Sequence, residues 1–371
     1  MVSYARELFR AILHSPWIYA AALLLCLFLW LPLAGVGSTA GADMVESYVT
    51  QHAQDIGPRI QMLQDSGAAD NIINLWKEAQ QALDEAGSSP RGSAEQLRAL
   101  GRYCQAILAL CDAGYFAGTD EAMIRANSLT MVRVGELQEP VVYGTTHEMG
   151  AWPYLAFVYG QVPPLLWLAI AALVAGVGVS RQEPKGLLGQ CPMNSGAKAL
   201  ASIGVTTIVT WLLMMAACVV AFCQRGLVAG FGDPGYPAVF VQGQQVLDLT
   251  AAQVLGRAAV LLLIQCACCA SLAQLALSLG AKRQVATAIA CLPILGLLTV
   301  NVLAEGASAW NPAAYFDLWP IAGGLAYFNG EALVHEPGMS WEQGLLVLGL
   351  WCLAIATASV AGNLAARSTR V

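Results

Sequence analysis

Residues 201–224 read ASIGVTTIVTWLLMMAACVVAFCQ, a stretch without a single Asp, Glu, Lys or Arg. About 20 apolar residues rising 1.5 Å each cross a hydrocarbon core about 30 Å thick, so this stretch is long enough to span a membrane as a helix. Five more such stretches flank it, near residues 17–37, 153–180, 258–280, 285–305 and 343–366, with Glu305 the one charge, at an end. The expected fold class is an all-α polytopic membrane protein with six transmembrane helices. Composition agrees: 57% of the 371 residues are hydrophobic and 11% charged, against roughly 25% charged in a soluble domain, which excludes a soluble globular enzyme. With 18 Lys+Arg against 24 Asp+Glu and no basic run, nucleic-acid binding by charge is excluded as well.

Pro163-Pro164 divides the second stretch, which sets Tyr154 to Val162 apart as an interfacial turn before the span. Such a break needs protein to cover it. The first stretch follows Arg6 and Arg10 and precedes Ala40-Gly41-Ala42, as in a secretory signal. Its apolar run exceeds the about 7–15 residues of a signal core, which favours a retained span.

Short loops rich in Lys and Arg stay in the cytoplasm. Arg6 and Arg10 at the N-terminus, Arg181, Lys185 and Lys198 after the second span, Lys282 and Arg283 after the fourth, and Arg367 and Arg370 at the C-terminus fall on one side. The other side has Arg225 and Arg257 in the third-to-fourth loop and none in 306–342. The expectation is a multi-pass protein of the cell membrane with both termini cytoplasmic.

Residues 38–152 hold 15 of the acidic residues and seven basic ones, a net of −8. They are expected to form an acidic, mainly helical extracytoplasmic domain between helices 1 and 2. Val45, Val49, His52 and Ile56, then Ile72, Leu75 and Leu83, then Leu97, Leu100, Cys104, Ile107 and Leu110 recur at helical spacing. Ser66-Gly67, Gly87-Ser88-Ser89-Pro90 and Gly114 punctuate them, and an extended stretch from Met131 to Tyr143 is expected to lead back to the membrane. The acidic surface suits a solvated face, and it would also attract cationic peptides or metal ions. A Cys104–Cys111 disulfide would require a break in the helix, because seven residues of straight helix span about 10.5 Å.

No GxxxxGK[ST], HExxH, GxSxG or cytoplasmic CxxC occurs, so the expectation is no catalytic residue, no metal and no cofactor bound by the chain itself. Two His-Glu pairs, His147-Glu148 and His335-Glu336, are the remaining metal candidates. The spans carry only mild polar groups: Thr206, Thr207, Thr210, Gln265, Gln274, Thr299, Asn301 and Asn363. Ala267, Ala270, Ser271, Gln274 and Ser278 form a small-residue stripe suited to close helix packing, with Cys266, Cys268 and Cys269 as small packing residues. Pro293 and Gly296 are expected to kink or loosen the fifth span.

Residues 1–16 place Tyr4, Leu8 and Ile12 on one face with Arg6 and Arg10 elsewhere, the pattern of a cytoplasmic interfacial helix. The loop 181–200 is charged at its ends, with Arg181, Glu183, Lys185 and Lys198 around an uncharged centre. In 306–342, Asn311-Pro312 is a helix start, followed by Tyr315, Phe316, Trp319, Tyr327 and Phe328, an aromatic content that suits a re-entrant outer segment.

Together these features resemble the membrane subunits of ABC exporters of the ABC-2 permease type. Glu183, Gly186, Pro192 and Lys198 match, in order, a common pattern of that family's coupling segment, and Asn311, Pro312 and Tyr315 match a stretch before its last span. The Gly186–Pro192 interval is about one helical turn shorter than usual, and the basic residue common after the second motif is missing. The resemblance implies a transport subunit without ATPase motifs of its own, moving an amphipathic, lipid-like or peptide substrate. The implied partners are a cytoplasmic ABC ATPase subunit that binds the ATP, a second permease subunit in a homo- or heterodimer, and membrane lipid. It also implies that Arg181, Glu183, Gly186, Pro192 and Lys198 couple to the ATPase. The alternatives are a membrane receptor or sensor with an extracytoplasmic ligand-binding domain, and a membrane-embedded enzyme, which no catalytic cluster favours.

Overall fold

The computed structural model describes residues 2–34, 40–116, 119–182, 188, 193–243, 245–279, 292, 296, 310–325, 333–335 and 339–368. An amphipathic helix α1 (Val2–Leu13) leads into α2 (Pro16–Trp30), which ends in a 3₁₀ turn, Leu31–Ala34. Four polar helices follow: α3 (Gly41–Asp65), α4 (Asp70–Ser88), α5 (Ala94–Asp112) and α6 (Thr119–Glu136). Then come α7 (Ala151–Gln161), α8 (Pro164–Ser180), α9 (Ser195–Ala229), α10 (Ala251–Ser278) and the last helix α11 (Trp341–Ser368). Among the described residues, Pro16–Ala34, Ser195–Ala229, Ala251–Ser278 and Trp341–Ala365 are long and apolar enough to cross a membrane. The α7–α8 pair is a fifth if it counts as one span bent by 84°. These helices mark a mainly helical, multi-pass membrane protein. Of the expected fifth span, 285–305, Leu292 and Gly296 are described, while Pro293, Thr299 and Asn301 lie outside the described residues.

The outward faces of α2 and α11 carry Leu23, Leu27, Leu346, Leu350 and Leu353, all exposed, a surface that hydrocarbon covers and water does not. α10 is the most enclosed of these helices and packs against α7, α8, α9 and α11. The small-residue stripe serves this contact: Ala270, Ser271 and Gln274 are buried, and so are Cys266, Cys268 and Cys269. Side chains at helix contacts fix the directions. Trp341 Nε1 donates to the Arg257 carbonyl at 3.3 Å, Cys268 Sγ lies 3.6 Å from the Leu348 carbonyl, and Ser271 Oγ lies 4.0 Å from Cys352 Sγ. A Cβ on Gly362 would lie 2.7 Å from Ser278 Oγ, so α10 and α11 run parallel. α8 and α9 are antiparallel, since a Cβ on Gly178 would meet Thr206 Oγ1 at 2.6 Å and Gln182 reaches Ser202.

The structure therefore has two ends. The basic end gathers α1, the C-terminal ends of α8, α10 and α11 and the start of α9, with Arg6, Arg10, Arg181 and Lys198 around it. The opposite, bundle end gathers α3–α6, α7 and the C-terminal end of α9. The α3–α6 bundle buries Val45, Val49, Leu83, Leu97, Leu100 and Leu110, and its helices end close to the expected Ser66-Gly67, Gly87–Pro90 and Gly114 punctuation.

One expectation is corrected here and three points are refined. The stretch from Met131 is helical as far as Glu136, because Gly101 and Gly135 let the α5 and α6 backbones touch. A Cβ on Gly101 would lie 3.3 Å from the Met131 carbonyl, and one on Gly135 would lie 3.3 Å from the Leu97 carbonyl. Residues 154–162 are set apart from the span as expected, but as most of the helix α7, which meets α8 at 84°, rather than as a turn, with Tyr154, Ala156 and Val158 buried. Cys104 and Cys111 are both free thiols on the unbroken α5. Finally, the fold is not purely helical: β1 (Pro237–Gln242) pairs antiparallel with β2 (Gln245–Thr250) and parallel with β3 (Leu333–His335). Val239 and Val241 of β1 pack on Ala126 of α6, and Arg133 of α6 donates to Asp248 of β2 at 2.7 Å. A Thr250–Gln253 capping box then starts α10.

Candidate functional site at the two ends of the apolar helices

At the bundle end, residues 144–149 tie four elements together. The Glu148 carboxylate accepts backbone N–H groups from Gly41 at 3.1 Å, Gly144 at 2.8 Å and Thr145 at 3.3 Å, so its charge sits at the N-terminus of α3, where the helix dipole favours it. Gly41 is required there: a Cβ would fall 1.9 Å from the Val142 carbonyl oxygen. Thr146 Oγ1 donates to the Pro32 carbonyl at 3.0 Å, which joins the end of α2 to the same loop. Arg225 is not a loop cation as its sequence position implied, because α9 continues to Ala229 and buries it at 3% exposure. Its Nε donates to the Met149 carbonyl at 2.7 Å, its other donor reaches the His147 carbonyl, and its guanidinium lies 5.6 Å from the centre of the Tyr154 ring. Tyr154 in turn donates from its hydroxyl to the Leu29 carbonyl at 2.6 Å. Beside this loop, burial holds the Tyr143 phenol above its usual range, and its ring packs 5.0 Å from that of Tyr236.

The segment 310–325 caps the same end. Asn311 accepts from the Ala313 N–H at 3.0 Å, and Pro312–Phe316 forms a single 3₁₀ turn rather than an α-helix. Pro312, Tyr315 and Phe316 are buried. The Tyr315 carbonyl accepts from Gln265 of α10 at 2.8 Å, and the Tyr315 ring lies where a Cβ on Gly344 of α11 would be. Trp319 packs on Gly160 of α7, and Tyr159 donates to the Gly323 carbonyl. Asn311, Pro312, Tyr315, Phe316 and Trp319 thus come together with α7, and Tyr315 reaches α10 at Gln265, near its middle.

At the basic end, α1 buries Tyr4, Leu8 and Ile12, the face expected of it, against α8 and α9. A Cβ on Gly178 would lie 3.5 Å from Ile12 Cδ1. Gln182, next to Arg181, donates to Ser202 of α9 at 2.5 Å and to Gln274 of α10 at 3.1 Å. Arg181 follows the end of α8 and Lys198 lies in the first turn of α9. Glu183, Gly186 and Pro192 lie outside the described residues, as does Glu336. Among the described residues no group of three or more His, Cys, Asp and Glu is placed to hold a metal ion, and Glu148 is engaged by backbone.

Arg225, Tyr154 and Gln182 are the residues whose roles sequence reasoning missed, and Glu148, singled out as a metal candidate, holds backbone N–H groups instead. One signal was present: Leu227, Val228 and Ala229 continue the helical apolar run beyond Arg225. No protein-family model, curated protein or solved structure matches the chain, so the functional reading rests on its own residues.

Proposed function

We propose that the chain is the membrane-spanning permease subunit of an ATP-driven ABC exporter, paired with itself or a relative and powered by a separate cytoplasmic ATPase. The observation that carries this reading is the joining of α1 to the flanks of the 181–198 loop. Ile12 rests against Gly178 and Thr206 lies beside it, so a force on either α1 or the loop moves the ends of α8 and α9 together. In this reading six spans cross the membrane, the basic end is cytoplasmic, and residues 38–152 stand outside the cell. Arg181, Glu183, Gly186, Pro192 and Lys198 couple to the ATPase. Gln182 passes the displacement to α10 through Gln274, and the cap of α7 and residues 311–319 against α10 closes the outer exit. The cargo is amphipathic, lipid-like or peptide, in keeping with apolar helices whose polar groups are few and uncharged.

The test is to purify the tagged protein in mild detergent from its own cell, identify the chains that copurify, and measure vanadate-sensitive ATP hydrolysis. A stoichiometric partner with a GxxxxGK[ST] loop is expected. Glu183→Lys should lower the stimulated hydrolysis severalfold with melting unchanged. Intact protein without such a partner or activity overturns the reading, and unchanged hydrolysis in the variant removes Glu183 from the coupling role.

A further inference from the structure

The α3–α6 bundle contains an open cleft of about 480 Å³ that the proposed transport cycle does not use. Its volume lies within the roughly 300–1,000 Å³ of small-molecule sites. One stripe of α3, Tyr48, His52, Asp55 and Arg59, forms a wall, and Trp76 of α4 and Tyr103 of α5 face it across the cleft. The aromatic groups are ordered. His52 stacks on Tyr48 with ring centres 3.9 Å apart and lies edge-on to Tyr103 at 5.8 Å. His52 Nδ1 donates to the Tyr48 carbonyl at 2.8 Å, which fixes the imidazole plane along the wall.

Two groups of this cleft hold unused hydrogen-bonding capacity. Trp76 is 4% exposed, and its Nε1 is a buried donor without a partner. Arg59 lies 5.1 Å from the centre of the Trp76 ring, and among the described residues it makes no ion pair. A buried donor left unsatisfied carries a desolvation cost that an incoming acceptor removes, and a guanidinium matches a planar carboxylate with two parallel hydrogen bonds. Asp55, one turn from Arg59 and exposed, opposes a second negative charge on the occupant. Tyr48, Tyr103 and His52 offer ring faces and edges, on which a planar group is held better than an alkyl chain.

From this we propose that the bundle cleft is a binding site for a small aromatic monocarboxylate, its ring lying against the cleft side of the Tyr48, His52 and Tyr103 cluster and its carboxylate on Arg59 and the Trp76 N–H. The site stands independently of the transporter reading, since it lies wholly within α3–α6.

The test uses the full chain in detergent, with equilibrium dialysis against radiolabelled benzoate and indole-3-acetate and against their neutral amides. The expected result is saturable one-to-one binding of at least one carboxylate, with its amide at least tenfold weaker. Arg59→Gln should weaken carboxylate binding tenfold or more, Arg59→Lys less, and Trp76→Phe, which keeps a ring and removes the donor, severalfold. Arg102→Gln, a change at a surface ion pair elsewhere on the bundle, should leave binding as it was. The proposal is overturned by no saturable binding of either carboxylate, by an amide that binds as tightly as its acid, or by undiminished binding to a folded Arg59→Gln protein. Loss of ATPase coupling in other variants would not alter this result, so the two readings fail separately.

Discussion

Arg225 carries a full positive charge into a position with 3% exposure, and the two backbone carbonyls it meets at His147 and Met149 come from a loop with no regular ladder of its own. Arg225→Met would fill much of the same space and leave both carbonyls without their donor. The expected cost is about 1–3 kcal/mol, the penalty for unsatisfied buried polar groups. Arg225→Lys, with a single ammonium in place of a fork, should fall between it and the parent. Thermal unfolding in detergent checks the order, and a methionine variant that melts with the parent would show that the loop finds other partners. This residue also marks what the sequence could and could not say. The face of α1 was legible as Tyr4, Leu8 and Ile12, because three apolar residues spaced four apart define a stripe without reference to anything else. Arg225 was not legible, because a cation at the end of an apolar run reads as a boundary unless a carbonyl loop 76 residues away in sequence is known to meet it.

Among the elements, α5 and α6 show how packing overrides local preference. Val132, Val134 and Gly135 are weak helix formers, so the sequence argued for extended chain after Met131. The contact between Gly101 and Gly135 holds α6 helical to Glu136 instead. The sheet was missed for a different reason: Ala238-Val239-Phe240-Val241 is a short β-prone run that periodicity alone does not separate from helix. Gly243, with φ +64°, is the turn signal beside it. The bundle's centre has a chemical consequence. Burial pushes the Cys104 thiol up to about 12, well above its ordinary value near 9, and Tyr48 and Tyr103 are raised in the same sense. Between pH 9 and 12 the unfolded chain releases the Cys104 proton while the folded chain retains it, so stability is full below pH 9 and falls as pH rises, by about 1.4 kcal/mol per unit for one such group. Melting temperature should therefore decline from pH 9 upward. In Cys104→Ala the decline should be shallower, with the remainder carried by Cys111, which burial also raises, and by tyrosine from about pH 10; a slope unchanged by the substitution would contradict the assignment.

For the whole molecule, helix direction bears on the proposed number of crossings. α10 and α11 run parallel, with Arg257 beside Trp341 at one end and Ser278 beside Gly362 at the other. A chain that leaves α10 at residue 278 and starts α11 at residue 341 in the same direction has to return the full length of the helices in between. Residues 311–325 already lie away from the residue-278 end, where Tyr315 meets Gln265 at the middle of α10 and Gly344 in the first turn of α11. In the proposed reading the uncharged stretch 285–305 supplies that return. The proposed six crossings, with the bent α7–α8 pair counted once, are an even number, which would put both termini on one side of the membrane. From the Lys and Arg bias, that side is expected to be the cytoplasm. Tags at the two termini of the full chain should both be protected from protease in intact cells stripped of their wall, while a cysteine introduced at Ser88 of α4 should react with a membrane-impermeant maleimide. A protected N-terminal tag with a digested C-terminal tag would mean five crossings, and it would require α10 and α11 to be antiparallel, in conflict with all four contacts between them.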